Sequence, residues 1–255
     1  MKWHQVAAML MVGTATLLAQ RKPAPVTGVQ VVGTFPHVPS SFTQGLVFAD
    51  GQLYESTGLV GESTLRRVDL ATGQTLQRID VPAPHFAEGL ALVGSELLQL
   101  TWRGQVGFVY DKKTFAQKRT FAYTSEGWGI AYDGTSRLVM SDGSDTFTFL
   151  DPKTLKAVRT LRVTDAGTPV ANLNELEWIE GEIWANVWMT DRIARISPST
   201  GEVNAWLDLS SLYPLGQRAP SADVLNGIAY DPSTRRIFVT GKKWPRLYQV
   251  RVAAP

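Results

Sequence analysis

The feature that most constrains this chain is a pattern that returns five times. It reads QGLVFADGQLYESTG from Gln44, EGLALVGSELLQLTW from Glu88, WGIAYDGTSRLVMSDG from Trp128, NELEWIEGEIWANVW from Asn174 and NGIAYDPSTRRIFVTGKKW from Asn226, at spacings of 40 to 52 residues. Each copy is two strands around a reversal, because runs of Val, Ile, Leu, Phe and Tyr alternate with turn residues such as Asp-Gly, Gly-Ser and Asp-Pro. A third run follows, as in LRRVDLATG, FVYDKKT, FTFLDPKT and IARISPSTG, and then a fourth, as in TLQRIDV, AQKRTFAY, KAVRTLRV and VNAWLDL. Four strands per unit at this period predict an all-β fold, a five-bladed β-propeller of four-stranded blades. The last copy ends at RLYQVRV without a fourth strand, and VQVVGTF near residue 30 lacks a partner. The N-terminal strand is therefore expected to close the ring and remove a free sheet edge. A β-sandwich would leave the repeat unexplained.

The ends of the chain read differently. MKWHQ followed by VAAMLMVGTATLLA is a short charged region and an apolar run of about 14 residues, too short to span a bilayer but suited to an export signal. The expected organisation is a signal peptide over 1–19, a flexible Pro-rich arm over 20–27 and one domain over 28–255. The mature protein is expected to be periplasmic or secreted, monomeric and free of the membrane. With 25 Lys and Arg scattered singly against 23 Asp and Glu, no basic face suits a phosphate backbone, so nucleic acid is not an expected partner. The absence of Cys and the presence of only three His, without zinc-ligand spacing, predict no catalytic metal and no cofactor; a structural cation in the central channel stays compatible with the sequence.

Placing the five copies in register locates a site. Gln44, Glu88, Trp128, Asn174 and Asn226 fall where the first strand of each unit begins. Gly58, Trp102, Gly143, Trp188 and Lys242 fall one antiparallel hairpin later and so face the same mouth. A purely structural repeat would place similar residues at all copies, yet these positions hold a carboxylate, amides, indoles and an ammonium. Such divergence marks a site assembled once on a symmetric scaffold. Glu88, close to Phe86 and facing indoles, is expected to be desolvated with its pKa pushed up, as suits a proton shuttle. Lys242 is either the counter-charge that keeps Glu88 ionised or a stabiliser of developing negative charge. By strand alternation Glu175 is expected to point into its blade, and Glu55 and Glu182 to lie on a solvated face.

At these residues the chain resembles the plant and bacterial type of glutaminyl-peptide cyclotransferase. FTQGL at 42–46, FAEGL at 86–90, LTW at 100–102, GWG at 127–129, LNELEW with ANVW between Leu173 and Trp188, and TGKKWP from Thr240 carry the likeness. The resemblance implies a five-bladed propeller that acts on peptides or proteins with an N-terminal Gln, forming pyroglutamate and ammonia. It implies that Glu88 is the acid and base, that Gln44, Asn174 and Lys242 hydrogen-bond the substrate, and that Phe42, Phe86, Trp102, Trp128 and Trp188 line the pocket. The competing reading is a non-catalytic propeller that binds a glycan or peptide on its Trp platforms. A calcium-dependent lactonase or a glycosidase would need converging metal-binding oxygens or two opposed carboxylates, which the sequence does not place at this mouth.

Overall fold

The computed structural model describes residues 22–253, so the expected signal peptide over 1–19 lies outside the described residues. Strand β1 (Val26–Pro36) is followed by a meander of β2 (Thr43–Ala49), β3 (Gln52–Thr57), β4 (Thr64–Asp69) and β5 (Thr75–Asp80). A second meander contains β6 (Ala87–Val93), β7 (Glu96–Thr101), β8 (Val106–Asp111) and β9 (Gln117–Ala122). A third contains β10 (Ile130–Tyr132), β11 (Leu138–Met140), β12 (Thr146–Leu150) and β13 (Ala157–Arg162), followed by a short ribbon of β14 (Thr164–Asp165) and β15 (Thr168–Pro169). The chain continues through β16 (Leu173–Ile179), β17 (Glu182–Val187), β18 (Arg192–Ile196) and β19 (Val203–Asp208), then β20 (Leu225–Asp231), β21 (Arg236–Gly241) and β22 (Arg246–Val252).

Local sequence explains the reversals. In DLATG, DKKT and DPKT the side chains of Asp69, Asp111 and Asp151 accept hydrogen bonds from the backbone N–H groups of Thr72, Thr114 and Thr154 at 2.8, 2.9 and 2.7 Å. Three hairpins thus turn by the same Asx chemistry. Between neighbouring meanders lie apolar clusters, such as Tyr54, Leu65, Leu90, Leu97 and Phe108 between the first and second. Another joins Leu98, Val109, Ile130 and Leu138 between the second and third. Burial of each such side chain stabilises the fold by about 1.5–3 kcal/mol.

The expectation of a five-bladed propeller of four-stranded blades is corrected by the strand pairing. Only three sheets of four strands form; the remaining long strands make one eight-stranded sheet in the order β16-β17-β18-β19-β1-β22-β21-β20. The cause is the length of β1. Its eleven residues pair antiparallel with β22 from Val29 to Pro36 and parallel with β19 from Val26 to Gly28, so the N-terminal strand fuses two meanders instead of only completing one. This sheet curls until its two edge strands, β16 and β20, pack side by side. The arm expected to be flexible over 20–27 is also tied down from Ala24 onward. Ala24 N–H donates to Asp165 Oδ1 at 2.8 Å, and Pro25 O accepts from Trp206 N–H at 2.8 Å.

Five strands, β2, β6, β10, β16 and β20, pack neighbour to neighbour around the centre. Their closeness explains the Gly in the repeated motif: a Cβ on Gly45 would lie 2.4 Å from Leu90 N, and one on Gly129 would lie 2.1 Å from Asn174 O. In the fourth copy Glu175 takes the place of this Gly. Its carboxylate does not point into a blade, as alternation suggested, but reaches Leu46 N–H at 3.3 Å and Ile228 N–H at 2.8 Å on two other strands. A register shift between Leu173 and Leu176 breaks the alternation at that point.

Candidate active site

The same irregularity recurs where the site residues sit. Register shifts fall between Thr43 and Gly45, Ala87 and Leu90, Leu173 and Leu176, and Leu225 and Ile228. Gln44, Glu88, Asn174 and Asn226 therefore lie at bulges, which take a residue out of the ladder and re-aim its side chain. Here Gln44, Glu88 and Asn174 turn toward one mouth of the ring, and Asn226 is fully buried beside Gln44.

All nine residues picked from the sequence line a single cavity of about 420 Å³ at that mouth: Phe42, Gln44, Phe86, Glu88, Trp102, Trp128, Asn174, Trp188 and Lys242, with Met189 and Asp223 added at the rim. Glu88, Gln44, Asn174 and Lys242 are each at most 5% exposed, whereas Trp188 is 38% exposed at the opening. Two glycines of the second register set make room for the walls. A Cβ on Gly58 would meet the Phe86 ring at 2.3 Å, and one on Gly143 would meet the Trp128 ring at 2.6 Å.

Polar contacts give the floor a defined orientation. Gln44 Nε2 donates to Glu88 Oε1 at 3.1 Å, and Gln44 Oε1 accepts from Asn226 Nδ2 at 3.2 Å. Asn226 also donates to Thr43 O at 2.9 Å, so a chain of amides holds the carboxylate. Asn226 was in the sequence register but without an assigned role; its Nδ2 fixes which end of the Gln44 amide faces Glu88. Asn174 Oδ1 is buried without a hydrogen-bond partner. The Lys242 ammonium lies 4.9 Å from the centroid of the Phe42 ring.

Electrostatics follow from burial. Desolvation pushes the Glu88 carboxyl well above the usual carboxylate range; the Lys242 charge opposes this and the Glu126 charge adds to it. Burial pushes Lys242 down, against the pull of Glu88 and Asp223. Both groups are thereby moved toward neutrality, which brings a proton at Glu88 within reach of exchange with a neighbouring amine.

Besides Glu175, the sequence misjudged Glu55 and gave no role to Glu126. Glu55 is 2% exposed, not solvated, and accepts from His37 Nε2 at 3.0 Å and Thr43 Oγ1 at 2.7 Å. Although burial favours a neutral ring, Glu55 holds His37 above its ordinary pKa. Glu126, absent from the sequence reading, accepts hydrogen bonds from the indoles of Trp102 and Trp128. Its sole signal was its position two residues before Trp128 in the GWG motif. Among the described residues no group of three or more His, Asp and Glu is placed to hold a metal.

One buried carboxylate, a facing ammonium and amides inside a box of rings define a site for acid–base chemistry on a small polar group. A family model for glutamine cyclotransferase matches residues 4–252. Glutaminyl-peptide cyclotransferase of Arabidopsis thaliana is 45% identical over an alignment of 232 residues that covers 88% of this chain and 71% of that protein. The crystal structure of Myxococcus xanthus glutaminyl cyclase is similar with a TM-score of 0.84 at 40% identity, covering 91% of this chain and 100% of that chain. The chain belongs to the glutamine cyclotransferase family.

Proposed function

We propose that the pocket around Glu88 is where this enzyme closes the ring of its substrate. The chain cyclises the N-terminal glutamine of peptides and proteins to pyroglutamate with release of ammonia. In the reaction the substrate α-amine nitrogen bonds to the carbon of the γ-carboxamide, the amine proton passes to Glu88, and an oxyanion develops. Glu88 then returns the proton to the departing nitrogen as the carbon–nitrogen bond breaks and ammonia leaves. One carboxylate serves first as base and then as acid, a role worth on the order of 10²–10⁴ in rate.

The other residues divide the remaining work. Gln44 engages Oε1 of Glu88, leaving Oε2 for the substrate proton. Lys242 stabilises the oxyanion and, by the same charge, eases ionisation of Glu88. Asn174, which lines the cavity, hydrogen-bonds the substrate through its side-chain amide. The aromatic walls formed by Phe42, Phe86, Trp102, Trp128 and Trp188 fold the glutamine side chain back on its own amine, the near-attack geometry that intramolecular cyclisation needs.

The observation that carries this assignment of roles is the convergence of all nine sequence-selected residues on one cavity with Glu88 buried among them. Incubating the purified protein with a glutamine-initiated dipeptide tests it: ammonia and a product lighter by one ammonia are expected. Peptide binding without ammonia release would favour the binding-module reading. Catalysis is proposed to need no metal, so EDTA is expected to leave turnover intact, and loss restored by zinc or calcium would count against that. From the sequence we also propose that residues 1–19 are removed on export to the periplasm or beyond and that the mature enzyme is a monomer. The intact mass of the exported protein and its sedimentation check both.

A further inference from the structure

Followed from Phe42 to Trp188, the aromatic wall is continuous through ring contacts except between Trp102 and Trp128. Phe42 packs edge-on against Phe86 at 6.1 Å, Phe86 against Trp102 at 5.7 Å, and, on the far side, Trp128 against Trp188 at 5.7 Å. Among the described residues no ring contact joins Trp102 to Trp128. Glu126 spans this gap: its Oε2 accepts from Trp102 Nε1 at 2.6 Å and from Trp128 Nε1 at 3.0 Å. Its Oε1 accepts from Arg103 Nε at 3.1 Å, and the Arg103 guanidinium lies over the Trp102 ring at 3.9 Å.

The two indoles belong to different sheets, Trp102 following β7 and Trp128 preceding β10. The segment between them is pressed against the end of β7. Gly127 N–H donates to Trp102 O at 2.9 Å, and a Cβ there would stand 2.7 Å from Tyr123 Oη and 2.8 Å from Thr101 O. Glu126 thus has little freedom to follow a displaced ring, and hydrogen bonds to an ionised acceptor are about twice as strong as neutral ones. Against its partial burial, the indole and Arg103 donors hold the Glu126 carboxyl below the usual range, so it is charged at neutral pH.

We propose that Glu126 is a positioning residue of this active site, one whose carboxylate clamps both indole N–H groups and so sets the width of the box that folds the glutamine side chain. The inference rests on the pocket being the cyclisation site. The clamp also carries a charge that Glu88 feels. Burial and Glu126 push Glu88 up while Lys242 pulls it down; the Glu88 charge in turn adds to the burial that raises Tyr123, and Gln44, the hydrogen-bond partner of Glu88, is neutral. Removing the Glu126 charge therefore lowers the pKa of Glu88.

The test compares wild type, Glu126→Gln and Glu126→Ala with a glutamine-initiated dipeptide across pH. Glu126→Gln keeps an oxygen for the indoles but drops the charge. It is expected to hold KM within about twofold while the acid limb of kcat/KM moves to lower pH. Glu126→Ala loses the clamp as well, and kcat/KM is expected to fall on the order of 10- to 100-fold. Should the alanine variant fail to fold, Glu126→Met fills similar volume without an acceptor and carries the same expectation. In a Trp102→Phe background, whose ring has no N–H, removal of Glu126 is expected to cost less than in wild type. An active wild type whose alanine or methionine variant keeps its kcat/KM, or loses equally in both backgrounds, overturns the clamp. A wild type that releases no ammonia overturns the cyclisation reading instead.

Discussion

The two ends of the central channel look alike in outline and differ in what surrounds their carboxylates. Both hold cavities of similar size, about 420 Å³ at the Glu88 mouth, lined in part by the first residues of β2, β6 and β16, and about 460 Å³ at the other, lined by later residues of those strands and by β10 and β20. Both have aromatic walls, and Trp178, Tyr132 and Tyr230 line the second. Both contain a carboxyl that burial pushes up, Glu177 to about 8. At Glu88, however, an amide donor from another strand and a facing ammonium converge. Glu177 accepts from Trp178 N–H, its immediate chain neighbour, at 3.0 Å, and the charges beside it are spoken for: Asp133 binds Arg137, and Glu180 binds Arg235. A cavity, rings and a perturbed carboxylate are thus not enough. A proton shuttle also needs groups placed to bind the atoms that lose and gain charge.

The comparison breaks most sharply by substituting the two carboxylates in parallel. Glu88→Gln preserves shape and is expected to lower kcat by about 10²–10⁴ with the melting temperature little changed. Glu177→Gln is expected to leave kcat unchanged. Comparable losses in steady-state turnover from both variants would erase the distinction between the mouths.

A smaller effect isolates the cation that only one mouth possesses. Lys242→Met is expected to lower kcat/KM by roughly 10²–10³, as for loss of an oxyanion donor. Since the Lys242 charge lowers the pKa of Glu88, its removal raises that pKa, and the acid limb of the pH profile should move to higher pH. An unmoved limb would separate Lys242 from Glu88.

The smallest effect concerns stability and belongs to the other mouth. Glu177 has a folded pKa of about 8 against an ordinary 4.5, so the folded state holds a proton that the unfolded state releases between those values. Its contribution to stability is complete below about 4.5 and is lost as pH rises through about 8. Glu177→Gln removes this dependence, and its melting temperature is expected to exceed that of wild type by a few degrees at pH 9 and to match it at pH 4. Melting curves at the two pH values check this, and an equal difference at both would deny the shift.

Much of the site was legible before any coordinates, because repetition turns sequence register into spatial register. Once the five copies are aligned, residues that begin the first strand must share a mouth, and Gln44, Glu88, Trp128 and Asn174 do line one pocket. Turn chemistry was equally local, as in the Asp69–Thr72 and Asp111–Thr114 contacts. The reach of β1 was not local. An eleven-residue strand with two open edges joins whichever partners the packing brings near, and β19 and β22 together made one eight-stranded sheet where five separate blades were expected. Glu175 escaped for a related reason, since alternation describes a regular strand and fails at a bulge. Glu126 and Glu55 escaped because an isolated Glu in a sequence is ordinarily solvated, whereas their partners, Trp102 for one and His37 for the other, are 24 and 18 residues away. The amino-acid sequence by itself determined the strands, the turns and the residues around one mouth, which depend on neighbours a few positions away. Only the tertiary structure decided which meanders fused, which carboxylates were buried and which side chains held the working ones in place, because hydrogen bonds between distant segments select their partners by proximity in the folded chain.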